Sequence, residues 1–215
     1  MKCFCNVFYF LIGLSSLTSW SQQSTTASKP SYIVYNRTIE QIFENEKKIV
    51  RLSEGAGAGV AWVEGLEFSE GEIEFEAKGR DVLQKSFIGI AFHGVDNETY
   101  ETVYFRSFNF QSTDSVRKIH AVQYVFEPKY GFQQLRNTRK DEFESAIKPS
   151  TIQATDWFRV KVVVRANKIT VFVNNFNEPC LEIPSLNLSP IGKKIGFWVG
   201  NNSNGDFANL KIKRD

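Results

Sequence analysis

The sequence predicts an all-β protein, a two-sheet jelly-roll sandwich, on three observations. Ten short segments alternate apolar and polar residues with a period of two, the pattern of strands that bury one face. Asparagine- and glycine-rich turns separate them, at 166–167, 174–175 and 201–205. One composition, rich in Phe, Val and Ile, runs from residue 32 to residue 215 with no linker, which makes a single domain over 32–215 the economical reading.

In chain order the expected strands are 48–52 (KIVRL), 60–63 (VAWV), 71–77 (GEIEFEA), 87–93 (FIGIAFH), 101–105 (ETVYF) and 121–126 (AVQYVF). The last third adds 157–164 (WFRVKVVV), 168–173 (KITVFV), 194–199 (KIGFWV) and 208–212 (ANLKI). A weak helical spacing appears only at 38–43. Ten such strands divide into two sheets of five, burying a core between them and leaving one sheet face free for a ligand.

The first residues read as an address. Lys2 gives a positive start, 7–14 an apolar stretch too short to span a bilayer, and Ser19-Trp20-Ser21 a small-x-small cleavage site. A signal peptide over 1–21 and a secreted or periplasmic protein follow, with a disordered Ser/Thr/Gln-rich leader over 22–31. Cys3 and Cys5 have no small-residue lipobox ahead of them, so no membrane anchor is expected. Cys180 then stands alone and forms no internal disulfide; between Pro179 and Leu181 it reads as an inert buried thiol. The formal net charge of +2 falls further without Lys2, and no basic cluster appears, which excludes nucleic acid and anionic membrane as partners. Two histidines and one retained cysteine, none at ligand spacing, give no metal site, and no cofactor is expected. Residues 201–206 carry oxygen ligands without the alternating acids of a calcium loop, and read as a turn. Oligomeric state leaves no mark on the sequence.

The segments 71–78 (GEIEFEAK), 87–93 (FIGIAFH), 100–106 (YETVYFR), 157–164 (WFRVKVVV), 171–174 (VFVN), 194–200 (KIGFWVG) and 205–212 (GDFANLKI) together resemble the concanavalin A-like lectin and glucanase superfamily. Within it the chain is most similar to secreted bacterial 3-keto-disaccharide hydrolase or family 16-like glycoside hydrolase domains. The resemblance implies a carbohydrate ligand on one sheet face and action on glycosidic bonds; the alternative is a non-catalytic carbohydrate-binding or adhesion module.

Glu72, Glu74 and Glu76 share one strand face and are similar to the acidic strand of family 16 glucanases. Their strand comes too early in the chain, so a solvated face is expected there, and by order the acidic strand is 101–106. It offers a single carboxylate, Glu101, whereas glycoside hydrolysis by either standard route uses two. Asp96, Glu98, Asp114 and Glu127 are available as the second. His93, closing its strand, suits a general base. Alternation splits Glu101, Val103 and Phe105 from Thr102, Tyr104 and Arg106, and the second set is the better wager for the open face. Arg106 either clamps a sugar or pairs with Glu101 or Glu127. Gln123 and Tyr124 lie on opposite faces of one strand. Tyr104, Tyr124 and Trp198 offer the flat apolar surfaces on which sugar rings stack, with core packing the competing use for Trp198. The expected site is therefore Glu101 and His93 for catalysis, with Tyr104, Arg106, Gln123, Tyr124 and Trp198 for carbohydrate binding.

Overall fold

A computed structural model describes Met1, residues 30–175 and residues 177–214. The expected signal peptide beyond Met1, and the leader before Pro30, lie outside the described residues.

Fourteen strands are described: β1 Tyr32–Tyr35, β2 Ile39–Glu44, β3 Lys47–Leu52, β4 Gly59–Glu67, β5 Gly71–Lys78, β6 Phe87–Gly94, β7 Tyr100–Arg106, β8 Val122–Glu127, β9 Glu144–Ser145, β10 Phe158–Arg165, β11 Lys168–Val173, β12 Leu181–Pro184, β13 Lys194–Val199 and β14 Gly205–Lys213. They form two antiparallel sheets of seven, in the orders β1-β4-β13-β6-β7-β8-β9 and β12-β11-β10-β5-β14-β3-β2. All ten expected strands are present. The count of five per sheet is corrected to seven, because β1, β2, β9 and β12 join the edges. The helical spacing at 38–43 is corrected as well: Ile39, Ile42 and Phe43 belong to edge strand β2, paired with β3 from Ile39–Leu52 to Glu44–Lys47.

Alternation explains the second sheet directly. In β5 and β10 every other residue is buried, and Phe75, Ile73, Phe158, Val160 and Val162 point into the core. Glu72, Glu74 and Glu76 stand on the opposite, partly solvated face, where Glu76 pairs with Lys47 and Glu72 lies 3.8 Å from Lys213. Across the core, Phe197 of β13 stacks on Phe207 of β14 at 4.6 Å between centroids. This ring pair locks the two sheets together.

The first sheet departs from simple alternation, because β7 is buried at all seven positions. Its inward residues meet the second sheet, as Phe105 does against Phe158 at 5.1 Å. Its other face is overlaid at one end by the long connections around β8. These carry α1, Ser115–Ile119, and α2, Phe132–Thr138. Asp114 caps α1 by accepting from the amides of Val116 and Arg117, which satisfies donors that a helix start otherwise leaves open. Cys180 is buried, and burial pushes its thiol up to about 12. The turn expected over 201–206 gives way to β14 at Gly205, and Asp206, opposite Arg51 in the pairing with β3, accepts two hydrogen bonds from it at 2.7 and 2.8 Å.

Candidate functional site

The expected site residues fall into two groups on opposite faces of β7, as alternation requires. Glu101 and Tyr124 turn inward, while Tyr104, Arg106, Gln123 and Trp198 turn outward. His93 joins the inward group against its strand's alternation. Its backbone is left-handed (φ 51°), and the pairing of β6 with β13 slips between Ala91 and Gly94. Such a bulge re-aims one side chain, here bringing the His93 ring against Phe68 and toward Glu101.

The inward group is a closed polar knot. Glu101 is wholly buried and its carboxylate meets four groups: His93 Nδ1 at 2.5 Å, the Tyr124 hydroxyl at 2.6 Å, Asn187 Nδ2 at 3.0 Å and the Ser185 hydroxyl at 3.3 Å. His93 Nε2 donates to the Ser69 carbonyl at 2.5 Å, so the contact with Glu101 holds one further proton, on Nδ1 or on the carboxyl. Burial, and after it the neighbouring Glu101 charge, raises the Tyr124 hydroxyl far above its ordinary value. No second carboxyl touches Glu101 among the described residues. Asp96 accepts from the backbone of Glu98 and Thr99 in a tight turn, Asp114 caps α1, Glu98 is exposed on that turn, and Glu127 lies on the opposite face. His93, expected at a loop edge, is 4% exposed. The knot ties the segment after β12 to β7.

On the outward face a single row of paired residues crosses all seven strands: Tyr35, Val60, Trp198, Gly89, Tyr104, Gln123 and Glu144. Gly89 decides its shape. A β-carbon there would sit 2.1 Å from the Val103 carbonyl and 2.8 Å from Tyr104 Cβ, so only glycine lets Trp198 and Tyr104 meet across it, ring to ring at 5.0 Å. Trp198 Nε1 donates to the Tyr100 hydroxyl at 3.2 Å, and Tyr100 meets Trp62 edge-on at 6.0 Å. Trp62 Nε1 in turn holds Asn97 at 2.9 Å.

Farther along the row, Tyr104 and Arg106 both donate to Gln123 Oε1, and Arg106 Nη2 donates to the Tyr104 oxygen at 3.0 Å. Arg106 spends its other nitrogen on Glu144 at 2.8 Å and the His120 carbonyl at 2.9 Å. Its acidic partner is thus Glu144, and neither Glu101 nor Glu127. Burial pushes the Tyr104 hydroxyl up to about 12. The expectation of open ligand contacts is corrected: Tyr104, Arg106, Gln123 and Trp198 face away from the second sheet but are buried, Tyr104 between the Trp198 and Phe87 rings and Arg106 against Phe87, Gln123 and Glu144. His120, Asp141 and Glu144 bring donor atoms within 4.8 Å of one another, but Arg106 and Arg136 already flank Glu144 there, at 2.8 and 3.7 Å. Two guanidinium groups balance two carboxylates, and the cluster is complete as an ion network.

Three polar groups on this face have no partner among the described residues: Thr102 Oγ1, Gln123 Nε2 and the Glu127 carboxylate. Buried polar atoms are ordinarily paired. Glu127 is partly open to solvent and sits opposite Tyr100 in the β7–β8 register. Burial alone raises its carboxyl above the usual range. At the far end of the row Tyr35 is 39% exposed. Tyr100, Trp62 and Glu144 were absent from the expected site. Tyr100 and Trp62 could have been found by extending the alternation that placed Tyr104 and Trp198; Glu144 sits in a two-residue strand with no pattern to read.

No protein-family model matches the chain, and no curated protein does. Solved structures do. A protein of unknown function with a galectin-like fold from Bacillus subtilis superposes with a TM-score of 0.55 at 10% identity, over 85% of this chain and 89% of that one. The carbohydrate-binding module CBM66 from Bacillus subtilis gives 0.55 at 10% identity, over 84% and 93%. The exoplasmic/lumenal domain of VIP36, bound to Ca2+ and Man3GlcNAc, gives 0.54 at 12% identity, over 86% of each chain. At these identities the likeness is one of fold: the chain is a concanavalin A-like, two-sheet jelly-roll sandwich.

Proposed function

We propose that this is an exported carbohydrate-binding module that takes its ligand on the outward face of the β1-to-β9 sheet, beside Tyr35, Tyr100, Trp198 and Glu127. One observation carries the reading. A partly exposed carboxylate with no partner among the described residues, Glu127, stands opposite Tyr100 on the face that packs against no second sheet, where Tyr35 is exposed and the Trp198 and Tyr100 rings show only their edges, at 8% and 4%. A sugar needs that combination, with flat apolar surface for its C–H face and an acceptor for its hydroxyls. The rings are held rigid by mutual packing and by the bond from Trp198 to Tyr100, so little side-chain freedom is lost on binding. Two of the similar structures, a carbohydrate-binding module and a domain bound to Man3GlcNAc, support the same reading.

Glu101 and His93 have a structural role in this account. Hydrolysis by a carboxylate pair requires two acids about 5–10 Å apart and open to substrate, and the enclosed knot around Glu101 supplies one. The test is a glycan-array and calorimetric screen of the chain from Gln22 onward, run beside Tyr35→Ala and Glu127→Gln, two substitutions at sites that reach solvent. Saturable binding to a glycan, weakened about tenfold or more by either change, is the expected result. Turnover of a glycoside that Glu101→Gln abolishes would replace the reading with a hydrolase, and silence across the array would replace it with an adhesion domain.

A further inference from the structure

A large cavity lies away from the proposed sugar face, at the open side of the sandwich where the edge strands β1 and β2 part. It encloses about 810 Å³. Tyr32, Leu66 and Phe197 line it from one sheet, and Val50, Leu210 and Ile212 from the other. Its floor is the core itself, since Phe197 is the ring that stacks on Phe207. Phe43 stands at the same opening, 67% exposed. The size is within the range of ordinary ligand cavities, roughly 300–1,000 Å³, and the lining is mainly hydrocarbon.

Lys48 borders this cavity, is exposed, and makes no ion pair among the described residues. Three lysines of this sheet are ion-paired, Lys47 with Glu76, Lys168 with Glu182 and Lys213 with Glu72, and Lys48 is the one cationic side chain that lines the cavity. The polar amides at the opening are engaged: Gln41 donates to the Pro30 carbonyl at 3.5 Å and Asn209 to Glu76 at 3.0 Å. An apolar slot between two sheets, with one unpaired cation at its rim, is complementary to a molecule with a long hydrocarbon tail and a single negative head.

We propose that this cleft binds a free long-chain fatty acid, with the tail between the sheets against Phe197 and the carboxylate at Lys48. It is a site separate from the sugar face and does not rest on that reading. Affinity rises with chain length by up to about fourfold for each methylene buried, until the slot is full. Leu66→Trp fills the cleft from a partly exposed position, and Lys48→Glu reverses the charge at the rim.

The experiment is displacement of a fluorescent fatty acid by octanoate, laurate and palmitate, on the parent chain and on both variants, each first shown to keep the parent's near-UV circular dichroism. Expected are saturable binding, the order palmitate over laurate over octanoate, and a loss of about tenfold or more in each variant. Absence of saturable binding by the parent, no dependence on chain length, or unchanged affinity in folded Leu66→Trp would overturn the proposal. Binding to anionic phospholipid vesicles without binding of free palmitate would overturn it too, and would mark the opening as a membrane contact.

Discussion

At the residue scale, the sharpest contrast in this protein is between two carboxylates on neighbouring strands. Glu101 has no exposure and four hydrogen-bonding partners; Glu127 has partial exposure and none among the described residues. Removing one member of a buried, satisfied network strands the others, which costs about 3–5 kcal/mol. Glu101→Ala should lose stability on that scale in urea denaturation, with His93 Nδ1 and the Tyr124 hydroxyl proton left without an acceptor. Glu127 behaves in the opposite sense. Burial raises its folded-state carboxyl above the unfolded value, so the native chain holds this proton to higher pH than the unfolded chain does. Its contribution to stability is present below the ordinary carboxylate range and is lost as pH climbs through the raised value. Glu127→Gln should therefore stabilise the fold at pH 7, with the gain vanishing at pH 3 in paired thermal melts.

Elements show how local sequence built this arrangement and where it stopped being readable. The inward and outward sets of β7 follow from alternation alone, so the direction of Glu101, Tyr104 and Arg106 was legible. Their burial was not, because the covering groups come from distant segments: Asn187 lies 86 positions beyond Glu101, and Ser185 lies 84. The turn of His93 toward Glu101 depends on a bulge between β6 and β13, and β13 begins a hundred residues later at Lys194. Strand β2 was read as weakly helical because Ile39, Ile42 and Phe43 fall three and four apart, and only pairing with β3 decides between the two periods. Gly89 is the position where one residue governs the outward row. Gly89→Ala sets a methyl group against the Val103 carbonyl and should cost about 3 kcal/mol by overpacking, read as a lower urea midpoint, with the contact of Trp198 and Tyr104 disturbed in near-UV circular dichroism. At a helix end the effect is smaller: Asp114→Ala should cost about 1 kcal/mol through loss of the α1 cap.

For the whole molecule, the two sheets turn outer faces of different chemistry to solvent. The sheet carrying β5 and β10 turns a salt-bridged, partly solvated face outward. The sheet carrying β7 turns outward a row of rings and amides and, beside it, the Glu127 carboxylate, which has no partner among the described residues. Three tryptophans report on these surfaces independently, since Trp62 and Trp198 belong to the second of these faces, while Trp157 precedes β10 and lies under the Lys47 ammonium at 4.3 Å. The most direct measurement is a two-dimensional 15N–1H titration of the chain from Gln22 onward with glycans that bind, following the three indole N–H signals. Saturable shifts at Trp198 and Trp62, with Trp157 unmoved and the response lost in Glu127→Gln, are what a sugar site on that face predicts. Shifts confined to Trp157, or binding that leaves Trp62 and Trp198 untouched, would place the ligand elsewhere and contradict the account.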